Sequence, residues 1–144
     1  LKAALKDLSR KFDEMHAQKV QIDVDSRVED AMEVGKQGVV FFIVEEAVNN
    51  ARKHAKADHI WVRLHPDGEM AVLEIEDNGI GFDLAEIQGN YAERGSLGMV
   101  NLHERAEMVH GVINIESALG QGTRVSVTIP MTVEAAESLH RIGG

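Results

Sequence analysis

The hydrophobic pattern of the chain divides into stretches of two periods. Leu1 to about Met15 carries Leu5, Leu8 and Phe12 at spacings of three and four, which predicts a helix. Lys19–Val24 alternates and predicts a strand. Ser26 to Val34 reads as a short helix, capped by Asp25 or Ser26 and closed by Gly35. A longer helix is expected from about Lys36 to Lys56. On a wheel of about 100° per residue, Val40, Val44, Ala47, Val48, Ala51 and Ala55 share one broad side. Glu46, Asn50 and Lys53 fall within ~60° of each other on the opposite side, with His54 beside them.

His59–Leu64 and Met70–Glu76 alternate around Pro66-Asp67-Gly68, a hairpin signature. Asp83 to Gly95 is polar and lacks clean periodicity, so it reads as a loop. Leu97 to His110 predicts a helix with Gly111 at its C-cap. Val112–Ser117 and Thr123–Pro130 form a second hairpin around Leu119-Gly120-Gln121-Gly122, and Thr132 to Gly144 has weak helical character. Hairpins with helices inserted between them predict an α+β fold. The expected form is a two-layer α/β sandwich, helices on one face of a mixed, mostly antiparallel sheet. Trp61 and the pair Phe41-Phe42 read as core.

Composition narrows the chemistry. The 144 residues fit one domain, and with no cysteine there is neither a disulfide nor a thiolate site. A net charge of -9 argues against nucleic acid as a partner, which asks for a clustered basic surface. A polyanion would have to be held at one local site. No apolar run reaches the ~18–20 residues of a membrane span, so no direct membrane contact is expected of this domain. The chain opens at Leu1 without a signal-peptide pattern and reads as a piece of a longer protein, cytoplasmic in this part.

Three stretches carry candidate chemistry. Glu46, Asn50 and Lys53 on one stripe are either a solvated helix face or a metal-and-phosphate set. In the second reading Asn50 offers a neutral oxygen to a hard cation, Glu46 holds a water, and Lys53 and His54 donate to phosphate. Asp77-Asn78-Gly79-Ile80-Gly81 at a strand end is either a plain turn or a loop whose glycines let a ligand approach and whose Asp77 accepts from an amine. Gly95-Ser96-Leu97-Gly98 opens a helix, whose first N–H groups suit an anion. The P-loop and dinucleotide glycine patterns are absent. His103, Glu107 and His110 share a helix face at metal-ligand spacing, but nothing in the sequence supplies a fourth ligand, and a polar surface explains them.

Taken together, the motifs resemble a known module. Glu46-x3-Asn50-x2-Lys53-His54-Ala55 looks like the N box of the ATP-binding module shared by gyrase, a heat-shock chaperone family, histidine kinases and MutL (the Bergerat-type fold). Asp77-x-Gly79-x-Gly81 resembles its first glycine box, Gly95-Ser-Leu-Gly98-Met99 its second, and Gly120-x-Gly-Thr123 its closing hairpin. Order and spacing agree from roughly 39 to 131. The N-box run from Glu45 to Ala55, Gly95 to Ala106 and Ile115 to Thr123 are similar to the catalytic domain of bacterial two-component sensor histidine kinases. The nearest subgroup is typified by the nitrate and lipid-fluidity sensors.

The resemblance implies Mg²⁺ and ATP as cofactors, with Asn50 ligating the metal and Glu46 positioning a water or assisting as base. Lys53 and His54 would face the phosphates. Asp77 would read the adenine amine, with Gly79 and Gly81 making room and Thr123 in support. A lid would run from about 83 to 97, with Gly95 and Leu97 in its last part also binding the cofactor and Gly98 just after it contacting phosphate through its backbone. Ser96 stands where the second glycine box usually has its first glycine, and His103 where the subgroup often has arginine. The acceptor pattern His-[Asp/Glu]-x3-[Gln/Asn/Thr] is not met: Ala17 follows His16, and Met108 ends the series begun by His103-Glu104. The acceptor histidine is therefore expected upstream, with 1–17 the end of a dimerisation helix or a linker, 18–131 the ATP-binding domain and 132–144 a tail. Expected partners are the dimerisation and acceptor domain of the same protein and a response regulator. The alternatives are a serine kinase of the anti-sigma-factor type and a nucleotide-binding switch without catalysis.

Overall fold

The computed structural model describes residues 1–15, 19–52, 57–80, 99–118 and 120–143. Within them the order is α1 (Lys2–Met15), β1 (Lys19–Val24), α2 (Ser26–Ala31), α3 (Val34–Asn50), β2 (His59–Asp67), β3 (Met70–Asp77), α4 (Met99–Met108), β4 (Val112–Ser117), β5 (Thr123–Pro130) and α5 (Val133–Gly143). The strands form one sheet in the order β1-β2-β3-β5-β4. β1 pairs parallel to β2 across the α2–α3 connection, and the other neighbours are antiparallel. Both expected hairpins are present, and the fold is the mixed α+β sandwich that the pattern predicts.

Alternation decides the two faces of the sheet. Ile60, Val62 and Leu64 of β2, Leu73 of β3 and Val127 of β5 are buried together with Val40, Ile43, Val44 and Val48 of α3. Leu5 and Phe12 of α1 and Leu102 and Ala106 of α4 enter the same core. The opposite face carries a charged ladder, with Arg63 bound to Glu76 at 2.8 Å and Arg124 to Glu74. The outer edge of β1 is partly covered: Ser9 Oγ donates to the Val20 carbonyl (2.5 Å), and the Val20 N–H donates to Asp13 Oδ1 (3.3 Å). Side chains so placed blunt an edge against pairing with another strand.

Some boundaries and environments differ from the sequence reading. α2 does not run to Val34 or close at Gly35. Asp25 caps its start by accepting from the Arg27 N–H, and it ends at Met32, whose backbone is extended. Gln37 Nε2 donates to the carbonyls of Glu29 (3.0 Å) and Met32 (2.9 Å), so the end of α2 is satisfied from the next helix. α3 then begins at Val34, with Gly35 in its first turn. At the end of α4 the left-handed residue is His110 (φ 57°), not Gly111. The His110 N–H reaches Glu107 and the Gly111 N–H reaches Ala106 at 2.8 Å, a Schellman closure. Gly111 serves for close approach instead, since a Cβ there would lie 3.0 Å from the Thr128 carbonyl oxygen.

The aromatic residues are not all core. Phe42 is 47% exposed, with the Arg105 guanidinium 4.8 Å from its ring centroid. Trp61 stands half-buried on the charged face and stacks on His59 at 5.7 Å. Phe41 alone of the three packs against the core. The last segment is a helix started by Thr132, whose Oγ1 accepts from the Ala135 N–H.

Candidate functional site

The ends of four strands and one helix meet at one end of the sheet. β3 finishes at Asp77, opposite Ile60 near the start of β2 on one side and Thr123 at the start of β5 on the other. Thr123 in turn lies opposite Ser117, the last residue of β4. The C-terminal end of α3 is tied to the same end, because the Ala57 N–H donates to the Ala51 carbonyl (3.4 Å) and β2 starts two residues later. Asn78 fixes the junction: its Oδ1 accepts from the N–H groups of Asp58 (3.0 Å) and His59 (2.9 Å). An open cleft of about 420 Å³ lies at the edge of this end, lined by Asp77, Ser117 and Thr123 together with Glu76, Glu116 and Arg124 of the charged face.

Asp77 is the one charged residue in the buried set among the described residues, 8% exposed. Burial pushes its carboxyl pKa up, partly offset by the N–H groups of Gly79 and Thr123, which donate to it; the neighbouring Glu76 adds to the rise. The Gly79 bond is 2.8 Å. A buried carboxylate held by two backbone donors keeps lone pairs for a third donor, and the cleft beside it gives that donor access.

The loop between β4 and β5 holds this turn from the far side. Gly120 and Gly122 have φ of 80° and 79°, where a side chain is strained. The Gly120 N–H donates to the Ile80 carbonyl at 2.6 Å. A Cβ on Gly122 would collide with the Asp77 carbonyl oxygen and stand 3.2 Å from its carbon, so only glycine lets β5 begin this close to the turn. Ser117 Oγ donates to the Gly122 carbonyl (3.0 Å) and lies 2.9 Å from Thr123 Oγ1.

On α3, Glu46 and Asn50 are both partly exposed, one turn apart on one stripe, opposite the buried Val44 and Val48. Among the described residues, Asn50 Nδ2 is buried without a hydrogen-bond partner, as is Arg52 Nε. An orphaned buried amide costs about 1–3 kcal/mol. Turning the amide presents its oxygen instead, a donor atom suited to a hard cation. The residues present therefore fit a divalent ion.

Of the residues singled out from sequence, the structure brings Asp77, Gly79 and Thr123 together, and places Glu46 and Asn50 on the helix that ends on the same side. Lys53, His54, Gly81, Gly95, Leu97 and Gly98, and the expected lid, lie outside the described residues. Sequence reasoning missed Asn78, Ser117 and the part played by Gly122. The Asp-Asn-Gly turn was the available signal for Asn78, and the last position of the strand pattern was the signal for Ser117.

Comparison with known proteins gives the family and the fold. Residues 35–133 match the family model described as histidine kinase-, DNA gyrase B-, and HSP90-like ATPase. An uncharacterized sensor-like histidine kinase of Chloroflexus aurantiacus is 44% identical over 96 residues, 66% of this chain and 16% of that protein. The signal transduction histidine-protein kinase/phosphatase DegS of Brevibacillus brevis is 38% identical over 95 residues, 66% of this chain and 23% of that protein. The chain thus spans less than a quarter of the length of these relatives. In fold it is similar to the blue-light activated histidine kinase of Erythrobacter litoralis EL346 (TM-score 0.72, 23% identity, 91% of this chain and 42% of the other). It is likewise similar to the Acinetobacter baumannii histidine kinase AdeS (TM-score 0.63, 16% identity, 91% of this chain and 64% of the other). The chain belongs to the histidine kinase-, DNA gyrase B- and HSP90-like ATPase family, and within it is an ATP-binding catalytic domain of the sensor histidine kinase type.

Proposed function

We propose that this chain binds Mg²⁺-ATP at the sheet end built around Asp77 and donates the γ-phosphoryl group to a histidine on a dimerisation helix of the same parent protein. The observation that carries this reading is the buried, backbone-held carboxylate of Asp77 opening on a cleft, within a chain of this ATPase family. Asp77 accepts from the adenine amine, and Thr123 supports the base from the adjoining strand. Gly79 and Gly81 leave room for the ring. Lys53 and His54 face the phosphates. Gly95 and Leu97, in the last part of the lid, also bind the nucleotide, and Gly98 just after it contacts phosphate through its backbone.

Phosphoryl transfer asks little covalent chemistry of a protein; it is positioning and charge stabilisation. Asn50 is the residue that holds Mg²⁺, which when bound neutralises charge on the phosphate oxygens. Glu46, one turn before it, positions a water or takes up a proton at its carboxylate. Residues 1–17 connect to the acceptor helix in this reading, 18–131 form the nucleotide-binding unit and 132–144 are its tail. The setting is the cytoplasm, and a response regulator takes the phosphoryl group from the histidine.

The test is transfer from γ-labelled ATP to the parent's acceptor helix, supplied separately, with Asn50→Ala as control. We expect acid-labile phosphohistidine on the acceptor and none on this chain, with transfer reduced about 100-fold or more in the variant. Intact transfer in Asn50→Ala overturns the metal assignment. Label on a serine of a small partner protein would instead identify a serine kinase of the anti-sigma-factor type, and binding without transfer a nucleotide switch.

A further inference from the structure

The outward side of α3 carries an aromatic ring that the core does not use. Positions 38, 42, 46 and 50 form one ridge along this helix, each about 6 Å from the next. Glu46 and Asn50 are the end of that ridge read as chemical. Phe42 stands one turn before Glu46 and is 47% exposed. Arg105 reaches across from α4 and lays its guanidinium over the Phe42 ring, 4.8 Å from the centroid. A stacked guanidinium spends its face on the ring and keeps its edge N–H groups for a carboxylate. The chain has an excess of acids, yet among the described residues Arg105 is in no ion pair. One turn to the other side of Phe42, a Cβ at Gly38 would meet nothing within 4 Å. The ridge thus presents an exposed ring, its stacked cation and open space directly beside Glu46.

We infer that Phe42 and Arg105 form the docking surface for the helix that carries the acceptor histidine, Phe42 taking an apolar residue of that helix and Arg105 a carboxylate. The inference rests on the reading of Glu46 and Asn50 as the phosphate end of an ATP site, and it deepens that reading by naming where the acceptor sits. The occupant follows from size. Transfer needs the histidine nitrogen within about 3–3.5 Å of the phosphorus, hence beside Glu46. A helix is about 10–12 Å across with its side chains, so one that brings a histidine to Glu46 covers about 5–6 Å to either side. Phe42 lies within that footprint, and a ring paired with an arginine is the kind of anchor on which interfaces depend most. Neither side chain belongs to the proposed nucleotide site, so docking and ATP binding are separable.

The experiment is transfer from γ-labelled ATP on the full chain to the parent's dimerisation and acceptor domain, supplied over a range of concentrations. ATP titration and thermal melting accompany each variant. Phe42→Ala should raise the KM for the acceptor about 10- to 30-fold, the weight of an aromatic anchor. Its kcat at saturating acceptor, ATP affinity and melting temperature should stay close to wild type. Phe42→Tyr, which keeps the ring, should keep the wild-type KM. Arg105→Gln should raise KM roughly three- to tenfold at low salt and less at high salt, where a surface charge pair is screened. Gly38→Gln puts bulk into open space on an exposed helix face. It should melt no lower than wild type and still raise KM about fivefold or more, and it reads the same docking should Phe42→Ala fail to fold. An unchanged KM in folded Phe42→Ala or in Gly38→Gln overturns the inference. So does a fall in ATP affinity and melting temperature in Phe42→Ala that matches its loss of transfer, the mark of a merely structural ring. Self-association of the chain that Phe42→Ala abolishes while KM stays unchanged gives the surface to a second copy and overturns it too. The two levels separate in the wild type: ATP binding without transfer refutes the kinase reading and the docking surface with it, whereas transfer that no variant alters refutes the docking surface alone.

Discussion

Gly122→Ala and Gly120→Ala form a matched pair that tests how the β4–β5 loop holds the turn after Asp77. Both glycines have φ near 80°, so alanine at either incurs the left-handed penalty of about 1–2 kcal/mol. They differ in what the new methyl meets. At Gly120 nothing lies within 4 Å, and the bond from its N–H to Ile80 survives. At Gly122 the methyl runs into the Asp77 carbonyl, which is backbone and cannot rotate away. β5 and the turn must separate, loosening the N–H bonds to the Asp77 carboxylate, each worth about 1 kcal/mol or somewhat more for a charged acceptor. The expected destabilisation is thus about 1–2 kcal/mol for Gly120→Ala and about 3–4 kcal/mol for Gly122→Ala. Urea unfolding at constant m-value measures both. Titration with ATP supplies the functional half: Gly120→Ala binds nearly as wild type, whereas Gly122→Ala loses roughly tenfold or more because Asp77 has moved. Equal destabilisation in the two variants, or normal ATP affinity in Gly122→Ala, would refute the steric argument.

Further outcomes follow from the core and from Asp77. Leu73→Ala, at a fully buried position in the central strand, should cost about 3–5 kcal/mol in urea unfolding. A cost below about 1 kcal/mol would mean that Leu73 is not packed as described. Asp77 binds its proton more tightly folded than unfolded, so it favours the folded state fully below the ordinary carboxylate pKa, and that contribution fades as pH rises through its raised value. Asp77→Asn should therefore melt at or above the wild-type temperature at pH 7 and at lower relative stability near pH 3; a variant clearly less stable at pH 7 contradicts this. Removing Arg63, which is bound to Glu76 on the open face, should change stability by less than about 1 kcal/mol, since exposed pairs contribute little.

Much of the fold was legible because each strand announces its faces. The alternation of β2 sets Ile60, Val62 and Leu64 against His59, Trp61 and Arg63, and it alone would have placed Trp61 outside the core had residue type not been preferred to position. The boundary between α2 and α3 was not legible. Gly35 looks like punctuation, yet α2 is stopped by Gln37, a side chain from the next helix reaching back to the orphan carbonyls. His110 was missed for a similar reason: glycine is the usual left-handed residue, but here Gly111 is needed where the chain passes the Thr128 carbonyl.

The candidate site shows the same division. Asp77 and the nearby glycines stand out locally. That Thr123 is the partner of Asp77, and Ser117 of Thr123, depends on strand register between segments far apart in sequence, which turn spacing does not determine. The motif order from Glu46 through Thr123 supplied what local pattern could not, because a resemblance carries register with it.

The central claim is that Asp77 is the group that reads the base of a bound ATP. The most direct measurement is calorimetric titration of Mg²⁺-ATP into the wild-type chain and into Asp77→Asn under identical buffer. The account predicts one saturable site in the wild type and at least tenfold weaker binding in Asp77→Asn, the loss expected when a charged acceptor is removed. Equal affinity in the two proteins would contradict it.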